Sequence, residues 1–411
     1  MDSSCRRPSN TTPQHKAAVR AHCRRVAAWS AELARAWNMS PEQQTALEQA
    51  ALAHHLPPLL LRNSSRERLL RDLLIPGAGS SDHLVSSVAE ILAAYHAASA
   101  VMTRASARKL ATILEMANAL DEHFEWETLV PGNGPMNPAA ETALECLRVA
   151  ARSDLYSVIS KLPSLPAIAQ RSMRFLSTGD SGLADMESAA ASDHNVAAHM
   201  IRTANSCAGA PGHGITTLSG AIGRLGGRAA TRVLCAASLR PVFAAPDLRP
   251  VWNHSLDVAQ RAEELAANSG QADPKDAFLA GLMHDIGRLP MTQFPTEFQA
   301  RYERVLQRGC EPVLIETALC GFSHAVAGAT VMREWSFPCV LVEAVEFHHQ
   351  PQGTGSKLAA LLNVAEESLH AVEDLPSQLR RQAACESLHL REEALRGTTL
   401  TGPLDALKFE L

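Results

Sequence analysis

Wherever apolar residues recur regularly in this chain, they recur with the period of a helix. In HNVAAHMIRTANS, Val196, Ala197, Met200, Ile201 and Ala204 stand at i, i+1, i+4, i+5 and i+8, which puts them on one helical face. Ser192 and Asp193, just before this run, are the expected N-caps, because a short side-chain oxygen there accepts from the free N–H groups of a first turn. No segment alternates apolar and polar residues well enough to predict a strand, and the predicted fold class is all-α.

The periodicity breaks at LVPGNGPMNPAAETALECL, through Pro131, Gly132, Gly134, Pro135 and Pro138, and Pro138 is expected near the start of the next helix. The break predicts a first unit over residues 1–138 and a linker helix over 139–154. A second unit is expected over 155–370 and a helical C-terminal tail over 371–411. Inside the second unit, the LPSLP step is expected to end one helix and start another.

Composition narrows the function classes. A chain of 411 residues needs more than one hydrophobic core. Aromatics at 4% with abundant Ala favour thin, closely packed helices over a sheet. A net charge of −5 without a basic stripe gives no reason to expect nucleic acid. Nine cysteines without a CxxC pair fit reduced thiols rather than disulfides or a zinc knuckle. The first twenty residues lack the apolar stretch of a secretion signal, and no run approaches the roughly eighteen apolar residues of a membrane span. A cytoplasmic location without a membrane partner is therefore expected.

Residues 155–370 resemble an HDOD domain, the HD-related output domain of bacterial signalling proteins and a relative of the HD and HD-GYP metal-dependent phosphohydrolases. The motifs that carry the likeness run in order: LPSLPAIA, SDHNVAAHMIRTANS, ITTLSGAIGRLGGRAATRVL, VWNHSLDVA, LAGLMHDIGRL, GFSHAVAGATVMREWSFP and AVEFHHQP. The resemblance implies a metal-ligand set of His254, His284, Asp285, His324, His348, His349 and Glu366, in the order in which HD-type proteins supply ligands. Imidazole and carboxylate together suit Fe, Mn, Zn or Ni, so a divalent transition metal in the C-terminal half is the implied cofactor. His284 and Asp285 diverge by about 100° on a helix and can share one ion only beside a helix end, which Gly287 is expected to permit.

Two departures from the active relatives stand out. Glu366 occupies the place where they end the set with Asp, and the GYP signature of cyclic-di-GMP-cleaving members is missing from HHQPQGTGSKL. The resemblance therefore implies a signal-transduction module that works through protein interaction or ligand sensing, with no catalytic residue assigned. The alternative is a metal-dependent phosphohydrolase acting on a nucleotide or cyclic dinucleotide. A protein partner in a signalling pathway is expected and a small nucleotide ligand is allowed. Nucleic acid ranks last, prompted only by the helix–turn–helix character of LSGAIGRLGGRAATRVL. Asn205, Ser206 and Gly226–Gly227 are read as caps and close packing.

The first unit looks like a worn copy of the HD-type core. His22 to His54 spans 32 residues and His254 to His284 spans 30, each with a long amphipathic helix, a short polar link and a second helix ending in a pair. In the first copy His55 replaces the Asp, His96 remains of an HH pair, and Asn118 stands where an acid belongs. Without acids, this copy is expected to keep its fold through apolar faces such as Val26, Leu33, Leu52 and Leu56 but to hold no divalent ion.

Overall fold

The computed structural model describes residues 13–55, 82–96, 105–129, 136–162, 164–178, 182–206, 214–369, 375–390 and 402–410. Among these residues the structure is helical and contains no strand. The all-α class is what the helical period requires. No single helix is long and apolar enough to cross a membrane.

The chain forms two compact units. The first contains α1 (Pro13–Ala36), α2 (Pro41–Ala53), α3 (Asp82–His96), α4 (Ala105–Leu129) and α5 (Pro138–Leu147), together with two helices from far along the chain, α15 (Thr296–Leu306) and α16 (Pro312–Cys320). Residues Phe294–Ser323 thus group with the first unit, although they interrupt the segment expected to form the second. The reason is visible in the bonds they make. Arg304 pairs through two nitrogens with the fully buried Glu32 at 2.9 Å each, and Arg301 donates to the Leu147 carbonyl at 3.1 Å. The N–H groups of Val149 and Ala150 donate to the Leu319 carbonyl. The first core is built on Trp29, Leu33, Leu47, Leu92 and Leu114, all without exposed surface. Val26 and Leu33 are buried as expected and Leu52 is half-buried, while Leu56 lies outside the described residues.

The second unit contains α6 (Arg152–Ile159), α7 (Ala167–Thr178), α8 (Leu183–Ala191), α9 (His194–Ser206), α10 (Leu218–Leu225), α11 (Gly227–Leu239), α12 (Arg249–Ser269), α13 (Pro274–Met283), the single turn α14 (Arg288–Met291), α17 (His324–Glu334), α18 (Cys339–Glu346) and α19 (Lys357–Glu367). Its core gathers Trp252, Phe243, Phe278 and Leu256. Helix α5 starts with Pro138 behind an Asn137 cap, as the break in period predicted. At α9 the expectation needs one correction. Asp193 caps it, accepting from Asn195 and Val196, whereas Ser192 ends α8. Gly226 adopts φ +76° between α10 and α11, a left-handed turn that suits glycine, but a Cβ at Gly226 or Gly227 would meet nothing within 4 Å. The pair is a cap without close packing. The Asn205 side chain holds both the N–H and the carbonyl of Ile215, a role beyond capping.

Candidate metal centre

Two close approaches of backbone assemble the site. A Cβ at Gly281 of α13 would lie 2.6 Å from Ala259 Cα of α12, so only glycine lets these helices pack at this distance. That contact brings His254 of α12 beside His284, which caps the C-terminus of α13, and their rings lie 5.2 Å apart. Asp285 follows in the turn. A Cβ at Gly287 would fall 1.9 Å from the His324 carbonyl oxygen and 2.4 Å from Gly328 N. Gly287 itself has ordinary right-handed torsions (φ −66°), and α13 has already ended at Met283. The expected role of Gly287 as a helix terminator is thus corrected: it lets the start of α17 seat His324 against the His–Asp turn. Helix α18 ends just before His348 and His349, and α19, capped by Ser356, carries Glu366.

The fold brings all seven sequence-selected residues together. His324 Nε2 lies 3.0 Å from both Asp285 Oδ1 and His349 Nε2. Asp285 Oδ2 faces His284 Nε2 at 3.8 Å and the Arg288 guanidinium at 3.0 Å. Glu366 stands 3.9 Å from His254 Nε2, 3.9 Å from His348 Nε2 and 3.7 Å from His349 Nδ1. Three overlapping trios each bring donor atoms within 4.8 Å of one another: His254/His284/Glu366, His284/Asp285/His348 and His324/His348/His349. Arg288, one turn after Asp285, was missed by the sequence reading, although its i+3 spacing puts both on one side of the turn.

The tautomers of two ligands are fixed by the backbone. His284 Nδ1 donates to the Gly281 carbonyl at 2.8 Å and His348 Nδ1 to the Val345 carbonyl at 2.6 Å, since a carbonyl can only accept. Each ring therefore turns an Nε2 lone pair into the cluster. Both atoms are fully buried and have no hydrogen-bond partner among the described residues. An orphaned buried acceptor is costly, and backbone anchoring of the second ring nitrogen is how metal-ligating histidines are oriented.

Burial, followed by neighbouring imidazoles, lowers the His348 pKa to about 4. His284 and His349 are also lowered, chiefly by burial. Burial alone would raise the Asp285 carboxyl, but Arg288 and then His284 and His324 hold it well below the usual carboxylate range. Glu366 is held low against its burial by His349, His254, His348 and His284. His254 goes the other way, raised because Glu366 and Asp285 outweigh its burial. The cluster consists mainly of neutral imidazoles around two ionised carboxylates, a donor set suited to a borderline divalent cation.

In the first unit, His22 Nε2 and His54 Nε2 face each other at 3.3 Å, and His55 completes a trio with them. The layout expected from the duplication is present for these three. The His96 side chain lies outside the described ones. Asn118 Oδ1 sits 3.1 Å from His54 Nε2, but an acid that the sequence reading passed over, Asp121, lies behind His22 with Nδ1 to Oδ2 at 2.8 Å. Asn118 and Asp121 are three residues apart on α4 and share a face, a spacing that marks Asp121 from sequence.

The second unit is thus an all-helical domain built around an HD-type cluster of five histidines and two carboxylates. Residues 162–351 match the HDOD domain, and the chain carries an HDOD domain there. A solved HDOD domain protein from Geobacter sulfurreducens, itself of unknown function, shares the fold with a TM-score of 0.51 at 20% identity, covering 62% of this chain and 93% of that one. An uncharacterized protein of Treponema pallidum (strain Nichols) is 24% identical over 195 residues, 46% of this chain and 38% of its own. Ribonuclease Y of Mycoplasma mycoides is 27% identical over 116 residues, 28% of this chain and 21% of that protein. The chain spans well under half of each of these two curated relatives.

Proposed function

We propose that the HDOD domain is a regulatory module that holds one divalent transition-metal ion and presents its helical surface to a protein partner in signal transduction. The observation that carries the reading is the pair of buried, partnerless lone pairs on His284 Nε2 and His348 Nε2, aimed at a cluster containing Asp285 and Glu366. A bound cation would satisfy these acceptors and supply Lewis acidity. His254, His284, Asp285, His324, His348, His349 and Glu366 would hold it. Two carboxylates against the Arg288 guanidinium leave one net negative charge, which favours one divalent ion over two. His284, His324 and His348 have no exposed surface. The His254, His349 and Glu366 side chains are 22%, 21% and 15% exposed and form an edge along which a small ligand such as a nucleotide can approach. An enclosed ion of this kind suits sensing and stabilisation of a partner-binding surface better than turnover of a large diester. Elemental analysis of untagged protein tests the site: about one equivalent of Fe, Mn, Zn or Ni that is lost in Asp285→Ala supports it, and equal metal in both chains refutes it.

A second reading, metal-dependent phosphoester hydrolysis, is favoured by Arg288, a cation at the edge of the donor set able to meet a phosphoryl oxygen. The likeness to Ribonuclease Y over 116 residues points the same way. Hydrolysis of bis(4-nitrophenyl) phosphate that requires added Mn²⁺ and vanishes in both Asp285→Ala and Arg288→Gln would favour catalysis. Metal-replete protein without hydrolysis favours the regulatory module.

A further inference from the structure

Two rings of the first unit's histidine pocket are anchored through Nδ1 to acceptors behind them. His22 Nδ1 lies on Asp121 Oδ2 at 2.8 Å, and Asp121 is fully buried and gripped by Arg25 through Nε at 2.8 Å and a terminal nitrogen at 3.0 Å. A carboxylate so held is an acceptor, so the His22 proton sits on Nδ1. His54 Nδ1 lies 2.5 Å from the Ala51 carbonyl, which can only accept, so its proton also sits on Nδ1. The Asn118 amide nitrogen donates to Glu122 at 2.8 Å, which turns Oδ1 toward His54 Nε2. His54 Nε2 lies 3.3 Å from His22 Nε2 and 3.1 Å from Asn118 Oδ1. A separation of 3.3 Å between the two ring nitrogens suits two imidazoles bound to one ion.

We propose that His22, His54 and His55 form a metal site of their own for a borderline divalent cation of the Zn²⁺ class, independent of the centre in the HDOD domain. His55, the exposed member, stacks 4.2 Å from the His54 ring and closes the trio. Asp121 positions His22 from behind, in the carboxylate–histidine–metal arrangement that fixes a ligand's tautomer. The charge of Asp121 is taken up by Arg25, so the ligands themselves are neutral. Such a set rejects Mg²⁺ and Ca²⁺, which need oxygen donors, and accepts ions that bind imidazole. The expectation that this unit holds no ion rested on the loss of ligating acids. A trio of imidazoles, with His22 oriented by Asp121 and His54 by the Ala51 carbonyl, does not require one.

The test uses the full chain stripped of metal and titrated with Co²⁺, whose visible absorption reports imidazole coordination. The wild-type chain and the Asp285→Ala variant, which disables the HDOD centre, should each show a Co²⁺ site that His54→Gln abolishes. His55→Gln, at an exposed position that does not threaten folding, should weaken it at least tenfold. Asp121→Asn should weaken it by 10- to 100-fold through His22, with far-UV circular dichroism confirming helix content. Mg²⁺ should not compete. Absence of the Co²⁺ signal in a folded Asp285→Ala chain, or a signal indifferent to His54→Gln and His55→Gln, would overturn the proposal and leave the pocket as a proton-sharing histidine pair. Neither outcome bears on the metal content of the HDOD centre.

Discussion

Gly287→Ala separates the packing argument from the ligand argument, because it touches no donor atom. The added Cβ would fall 1.9 Å from the His324 carbonyl oxygen and 2.4 Å from Gly328 N, both backbone atoms that cannot rotate away. Ordinary van der Waals contact begins near 3.4 Å, so the start of α17 must withdraw by about 1.5 Å. His324 Nε2, now 3.0 Å from Asp285 Oδ1 and His349 Nε2, would move out of hydrogen-bond range of at least one of them. Overpacking of a rigid contact costs about 1–3 kcal/mol, and this one belongs at the upper end because both colliding groups are main chain. For a unit of this size that is a fall in melting temperature of roughly 6–12 °C, together with at least a tenfold loss of metal affinity. Scanning calorimetry and elemental analysis, with Gly223→Ala as control, provide the assay. A Cβ at Gly223 meets nothing within 4 Å, so in helix α10 that change should be neutral or stabilising by about 0.5–1 kcal/mol. A Gly287→Ala chain that melts with wild type and retains its metal would refute the account of how His324 is placed.

Other outcomes follow from single side chains. Arg288→Gln removes the cation on Asp285 Oδ2 and should raise metal affinity about tenfold, or admit a further ion, read by elemental analysis after dialysis at limiting metal. His199 is buried with its ring nitrogens facing Arg202 and Arg240, and burial followed by those two charges lowers its pKa to about 4. Unfolded chains protonate this histidine near pH 6.5, so its contribution is complete above that value and is lost as pH falls toward 4, by at most about 3 kcal/mol. His199→Gln should flatten urea-unfolding free energies across that window. Arg25→Met leaves the buried Asp121 with its paired cation gone and should cost about 3–5 kcal/mol, seen as a lower urea midpoint with an unchanged slope.

Much of the HD-type cluster was legible because its members are chemically distinctive and occur in a fixed order. His254, His284, Asp285, His324, His348, His349 and Glu366 could be picked out without knowing any distance. The helical class was legible for the same kind of reason, since a repeat such as Val196 to Ala204 survives in one dimension. What could not be read was anything set by close approach between distant segments. Gly287 looked like a helix terminator because its sequence neighbours are a helix end, whereas its constraint comes from His324 and Gly328, nearly forty residues on. Residues 294–323 read as part of the second unit because they lie between its motifs, yet Arg304 finds its carboxylate at Glu32. Asp121 was passed over because a ligand register was carried onto Asn118, and a positioning acid one turn further along α4 lies outside that register. Arg288 was missed for a similar reason, as a positive charge has no place in a list of ligands.

The central claim is that the lone pairs of His284 and His348 and the carboxylates of Asp285 and Glu366 converge on a cation. The most direct measurement is the metal content of the untagged chain beside that of Asp285→Ala, purified identically and checked for cooperative melting. The account predicts that the variant stays folded and loses about one equivalent of transition metal per chain. Equal metal content in the two folded proteins would contradict it.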